Sequence, residues 1–226
     1  MNAIFLHTTA AAVMAYGYNS LKQMPVDKFL SAQKGGHSQF LTIIGLWLAF
    51  TTMTLGLASE LSPTMTVFRK IKRLVLMVAL PISTIVTTVY WGLLIFWPEM
   101  ILAARPLPVE SPTPDELVPS FSEPTILRIP LHLDLALHAL PAASLILDFF
   151  FVERKYTRGQ AVYGGIIMTV LACLSYAPWI EYCARFNGSF PYPFLTENPF
   201  DVRVMIYAGL STFALVTFWI MNALHS

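Results

Sequence analysis

The chain has 226 residues, of which 56% are hydrophobic and only 12% charged, and its mean hydropathy is +0.61. That mix excludes an ordinary soluble domain. Fourteen Lys and Arg against 13 Asp and Glu leave a net charge of +1, so no basic field invites nucleic acid and no such partner is expected.

The first apolar run, 3–18, is short and alanine-rich with no basic stretch before it. It reads as a first span rather than a cleaved signal peptide. Runs at 40–58, 74–97, 131–152, 161–182 and 204–224 are each long enough to cross a hydrocarbon core of about 30 Å. The expected fold is therefore all-α: a polytopic membrane helix bundle of about six transmembrane helices forming one domain over 1–226. The longest polar interval, 104–130, contains PLPVESPTPDELVPSFSEP and reads as an irregular loop. Cys173 and Cys183, ten apart on one predicted helix, lie about 15 Å from each other and cannot bridge.

Loop cations set the expected orientation. Seven follow the second and fourth spans (Arg69, Lys70, Lys72, Arg73, Arg154, Lys155, Arg158), and seven follow the first, third and fifth (Lys22, Lys28, Lys34, Arg105, Arg128, Arg185, Arg203). The first set is packed into two short loops against helix ends, where the positive-inside bias acts, so both termini are expected on the cytosolic side. The sequon Asn187-Gly188-Ser189 then faces the lumen or exterior, close to the membrane.

A charged side chain at membrane depth costs about 3 kcal/mol on insertion scales, which makes each one a site hypothesis. The candidates are His132, Asp134, His138, Asp148 and Glu181. Asp134 and His138 are four apart and share a helix face, whereas His132 points elsewhere. Three readings of the pair stay open: a structural contact between packed helices, a general base, or a ligand. A zinc site needs three or four converging donors, a transmembrane haem needs facing axial ligands, and HExxH is absent; neither metal nor other cofactor is expected.

A general base needs a nucleophile within about 3 Å. The G-x-S-x-G elbow is absent, but hydroxyls abound: Thr42, Thr51, Thr52 and Thr54 on the second span, Ser83, Thr84, Thr87 and Thr88 on the third. Most should bond the carbonyl four residues back. The second and fourth spans run in the same direction, and Thr42 and His138 enter them at depths differing by a few residues of 1.5 Å rise each. Thr42 is the hydroxyl best matched to His138.

QFLTIIGLW (Gln39 to Trp47), LHALP (Leu137 to Pro141) and FPYPFL (Phe190 to Leu195) resemble the androgen-induced protein and androgen-dependent TFPI-regulating protein family. The resemblance implies multi-span membrane proteins that hydrolyse fatty acid esters of hydroxy fatty acids with an intramembrane threonine and histidine. By position it implies Thr42 as nucleophile, His138 as base, and Asp148 as the acid ten residues beyond. It also aligns Tyr192-Pro193-Phe194 with an aromatic segment after Gly188. Asp134 stands where the family has asparagine, Leu135 where it has a second histidine, and Gly45 where it has aspartate.

The expected reaction is attack by Thr42 on a membrane lipid ester, with His138 taking the proton and Asp134 and Asp148 in support. Trp179, Tyr192 and Phe194 are expected to line the pocket, and Tyr176, Trp179 and Asn187 are candidate oxyanion donors. The expected location is the endoplasmic reticulum, another endomembrane or the plasma membrane. The rival expectation is a non-enzymatic lipid-binding or transport protein whose Asp134 and His138 are structural or relay protons, although no convincing internal repeat of the transporter kind is present.

Overall fold

A computed structural model describes residues 2–101 and 129–226. The segment 104–130, with Arg105 and Arg128, lies outside the described residues apart from its last two positions. The described chain forms nine α-helices and no strands: α1 (Ala3–Lys22), α2 (Val26–Ala32), α3 (Leu41–Leu61), α4 (Thr66–Phe96), α5 (Leu131–His138), α6 (Leu140–Phe151), α7 (Gly165–Asn187), α8 (Pro193–Thr196) and α9 (Phe200–Leu224). The chain is an all-α membrane bundle. The long elements are α1, α3, α4, the α5–α6 pair, α7 and α9. Residues 22–41 and 187–200 gather at one end, called the cavity end. The terminal end holds residues 61–66, 152–159 and the last residues of α9.

By length and apolarity, four helical stretches can cross a membrane: α3, α4, residues 160–187 and α9. The α5–α6 pair makes a fifth if counted as one span. α1 is 20 residues long, but it falls outside that set, so the expected sixth span is the least apolar.

The run at 131–152 was expected as one helix; it is two, bent by 42° at Ala139. Pro141 sits in the first turn of α6, where its ring crowds the carbonyl four residues back and it has no N–H to give. At the break the His138 carbonyl accepts from Thr87 Oγ1 of α4. Pro81 and Pro178, by contrast, leave α4 and α7 continuous.

α3 and α4 form the centre, with α1 against α3, α5 and α6, and α4 against α6, α7 and α9. Met14, Leu46, Ala49, Met53, Leu76, Leu80, Leu145 and Phe149 form the buried core. Small residues permit the closest approaches, as is common between membrane helices. A Cβ built on Gly56 would lie 2.6 Å from the His7 ring, and that ring is fully buried with Nε2 2.7 Å from Asp148 Oδ1. Gly56→Ala is therefore expected to lower stability by about 1–3 kcal/mol as an overpacked site, read as a lower thermal unfolding temperature in detergent.

At the terminal end Lys72 Nζ lies 2.7 Å from Asp148 Oδ1 and 2.9 Å from Glu153 Oε1, and Arg73 Nη1 donates to Glu153 Oε2 at 2.8 Å. The orientation count treats Lys72 as a loop cation. α4 in fact begins at Thr66, and Lys72 is 2% exposed inside the bundle.

Candidate functional site

In the apolar spans most hydroxyls are consumed locally. Thr52, Thr54, Thr84 and Thr88 each donate to the carbonyl four residues back, and Thr87 serves His138. Thr42 differs because it is the second residue of α3, with no helical turn before it. The carbonyl four residues back, that of Ser38, accepts from Trp179 Nε1 at 3.1 Å.

The segment leading into α3 is clamped by α7 and the turn after it. Asn187 Oδ1 accepts from the Lys34 N–H at 2.8 Å, and its Nδ2 donates to the Lys34 carbonyl at 3.1 Å. Tyr176 donates to the Gln39 carbonyl at 3.0 Å. Gly188, at φ +72°, ends α7 and starts the turn that carries Tyr192. The Tyr192 hydroxyl accepts from the Leu41 N–H at 2.9 Å and also meets the Thr42 hydroxyl and N–H. It caps a helix whose own N-cap residue, Phe40, makes no side-chain cap. Burial pushes the Tyr192 phenol up, so it stays neutral. Trp179, Tyr176 and Asn187 were candidates for an oxyanion hole; each is spent on this clamp. The sequon asparagine is likewise committed to Lys34.

α5 presents Asp134 and His138 on one face. His138 Nδ1 lies 2.7 Å from Asp134 Oδ1, with both residues buried. A carboxylate on Nδ1 selects the tautomer with the proton there and leaves the Nε2 lone pair available. Among the described residues Nε2 has no hydrogen-bond partner. Tyr90 of α4 stacks on the imidazole, ring centroids 3.5 Å apart and planes at 1°, and its hydroxyl is directed to Asp134. Tyr90 was missed in the sequence. Its signal is its position three residues after Thr87, on the face that also holds the His138 carbonyl.

Two adjoining cavities, of about 530 and 480 Å³, meet beside these groups. Both fall in the range of small-molecule sites. The first lies among α3, α4, α7 and α9, and Trp179 and Phe194 line it. The second lies between α5 and the segment from α1 to α3, and Asp134, His138 and His37 line it. Thr42, Tyr90, Ile101 and Tyr192 border both. His37 Nε2 lies 2.6 Å from Asp27 Oδ1, and this hydrogen bond holds the Asp27 carboxyl below its usual range.

Thr42, His138, Asp134 and Tyr192 thus share one cavity, with Trp179 and Phe194 in its neighbour. Asp148 does not join them. Ten residues beyond His138 is about 15 Å along a helix, and Asp148 lies beyond the bend, bound to His7 and Lys72. His132 is exposed. Glu181 pins α7 to α9 through Arg203 at 2.8 and 2.9 Å and Tyr207 at 3.0 Å. Among the described residues no group of three or more His, Cys, Asp or Glu side chains is placed to hold a metal ion.

A family profile described as FAR-17a/AIG1-like protein matches residues 2–226. A UPF0641 membrane protein of Schizosaccharomyces pombe is 23% identical over 224 residues, covering 99% of this chain and 90% of its own length. Another, of Saccharomyces cerevisiae, is 24% identical over 230 residues, covering 95% of this chain and 87% of its own. No solved structure matches.

Proposed function

The chain belongs to the FAR-17a/AIG1-like family, and from that premise we propose that it is a membrane-embedded esterase hydrolysing fatty acid esters of hydroxy fatty acids. The observation that carries the reading is His138, tied at Nδ1 to Asp134 and without a partner at Nε2 among the described residues, in the cavity that Thr42 borders. Thr42 Oγ1 attacks the ester carbonyl as His138 Nε2 takes its proton. His138 returns the proton to the departing alcohol oxygen, and water then releases the acyl group from Thr42. The Leu41 and Thr42 N–H groups are taken by the Tyr192 hydroxyl, so what the start of α3 offers the developing negative charge beside Thr42 is the positive end of the helix dipole.

The setting suits the substrate class. A long ester already dissolved in a leaflet needs no aqueous entry, and each methylene buried in the cavities contributes about 0.8 kcal/mol. Thr42 lies in the first turn of α3, so water has a short path from the cavity end.

The direct test incubates the purified protein in detergent with such an ester and follows free fatty acid by mass spectrometry, with and without a fluorophosphonate probe. Release that the probe blocks is expected; an intact ester would favour a binding or transport role. Asp134→Leu should lower kcat by roughly 10²-fold or more with little change in KM, because Nδ1 loses the acceptor that fixes the imidazole tautomer. Initial rates over a range of ester concentrations check this.

A further inference from the structure

We infer that the two cavities hold the two arms of the ester separately, the acyl chain among α3, α4, α7 and α9, and the alcohol arm beside α5. The inference rests on the esterase reading, and it follows from which groups border which cavity. Thr42 borders both, whereas Asp134 and His138 border only the second. In the acylation step the bond from Thr42 Oγ1 to the carbonyl carbon forms and the bond from that carbon to the alcohol oxygen breaks. The proton taken from Thr42 by His138 Nε2 goes to that departing oxygen. One imidazole serves both oxygens, so the leaving oxygen must sit on the His138 side. The acyl chain then extends the other way, through the junction at Tyr90 and Tyr192.

The linings agree. In the first cavity Ser175, Tyr176, Trp179 and Tyr207 have their polar hydrogens committed to Leu171, Gln39, Ser38 and Glu181. What they present there is hydrocarbon and ring surface. The second cavity carries Asp134, His138 and His37 among its walls. Leu21, Val26 and Leu30 also line it, and Lys22 and Lys28 stand exposed on the same stretch of chain. An alcohol arm that is itself a hydroxy fatty acid has its carboxylate directed toward those cations. The alcohol leaves first, from the second cavity, and clears the side of His138 from which water must attack while the acyl chain stays anchored in the first.

The test uses two ester series, one varying the acyl chain and one varying the alcohol chain, with two variants per cavity. Ala172→Phe and Ala177→Phe narrow the first cavity; Val26→Phe and Leu94→Trp narrow the second. The first pair should lower kcat/KM for long acyl chains at least tenfold relative to short ones and be indifferent to alcohol length, and the second pair should do the reverse. Discrimination on the opposite arm, or equally on both, would overturn the assignment. Matching ethers, which lack a scissile carbonyl, should show the same selectivity in Kd for each variant. Absence of Thr42-dependent hydrolysis in the parent protein is a separate result, which defeats the esterase reading; selective ether binding still reports on the two subsites.

Discussion

Thr42→Ala and His138→Ala are each expected to reduce ester hydrolysis by about 10³-fold or more, within the span that positioned acid–base and nucleophilic groups supply. The loss follows from the scarcity of alternatives. Thr52, Thr54, Thr84 and Thr88 bond their own helices, Thr87 bonds the His138 carbonyl, and Thr51 and Ser83 border neither cavity. His37, the other imidazole of that cavity, is likewise tied to a carboxylate, Asp27, through Nε2, but its remaining nitrogen, Nδ1, is buried and presents no lone pair to the cavity. Because nucleophile and base act as a unit, the double variant should be no slower than the slower single one. Thr42→Ser keeps the hydroxyl and should retain hydrolysis. Initial rates on protein whose thermal unfolding is unchanged decide the matter; a Thr42→Ala enzyme at full rate excludes this nucleophile.

Lys72→Met is expected to cost about 3–5 kcal/mol of stability, the usual penalty for leaving a buried charge without its partner. Lys72 joins two carboxylates. Without it, among the described residues, Asp148, fully buried, keeps only His7, and Glu153 keeps only Arg73. Removing both charges in Lys72→Met with Asp148→Leu should recover part of the loss, because the uncompensated charge goes with its partner. Added salt should change little, since screening acts weakly on buried pairs. Thermal unfolding in detergent measures all three. Below its unfolding temperature Lys72→Met should hydrolyse ester at the parent rate, because the network sits at the end of the bundle opposite Thr42. An unshifted unfolding temperature would mean that the four charges contribute no net stability.

The spans were legible because apolar runs of membrane length are long-range features of composition that no local contact overrides. The Asp134–His138 pair was legible from its spacing of four, and Thr42 from its depth. What remained hidden depends on partners far apart in the chain. Pro141 breaks its span while Pro81 and Pro178 do not, and at that break Thr87 of α4 donates its hydroxyl to the His138 carbonyl. Tyr90 is one of several aromatics on α4, and only the fold sets it flat on His138. Trp179 lines the first cavity, but its N–H holds the entry to α3, a commitment that depends on Ser38, 141 residues earlier in the chain. Asp148 was drawn toward His138 by its position in the family pattern, although ten residues of helix carry it to the far end, where His7, 141 residues earlier in the chain, is its partner.

The most direct measurement is peptide mapping by mass spectrometry of protein mixed with a long-chain ester and quenched in acid during turnover. The mechanism predicts the mass of the acyl group, without the alcohol, on the peptide containing Thr42, and its absence from Thr42→Ala. Acyl mass on a different residue, or hydrolysis at full rate with Thr42 never modified, would contradict it.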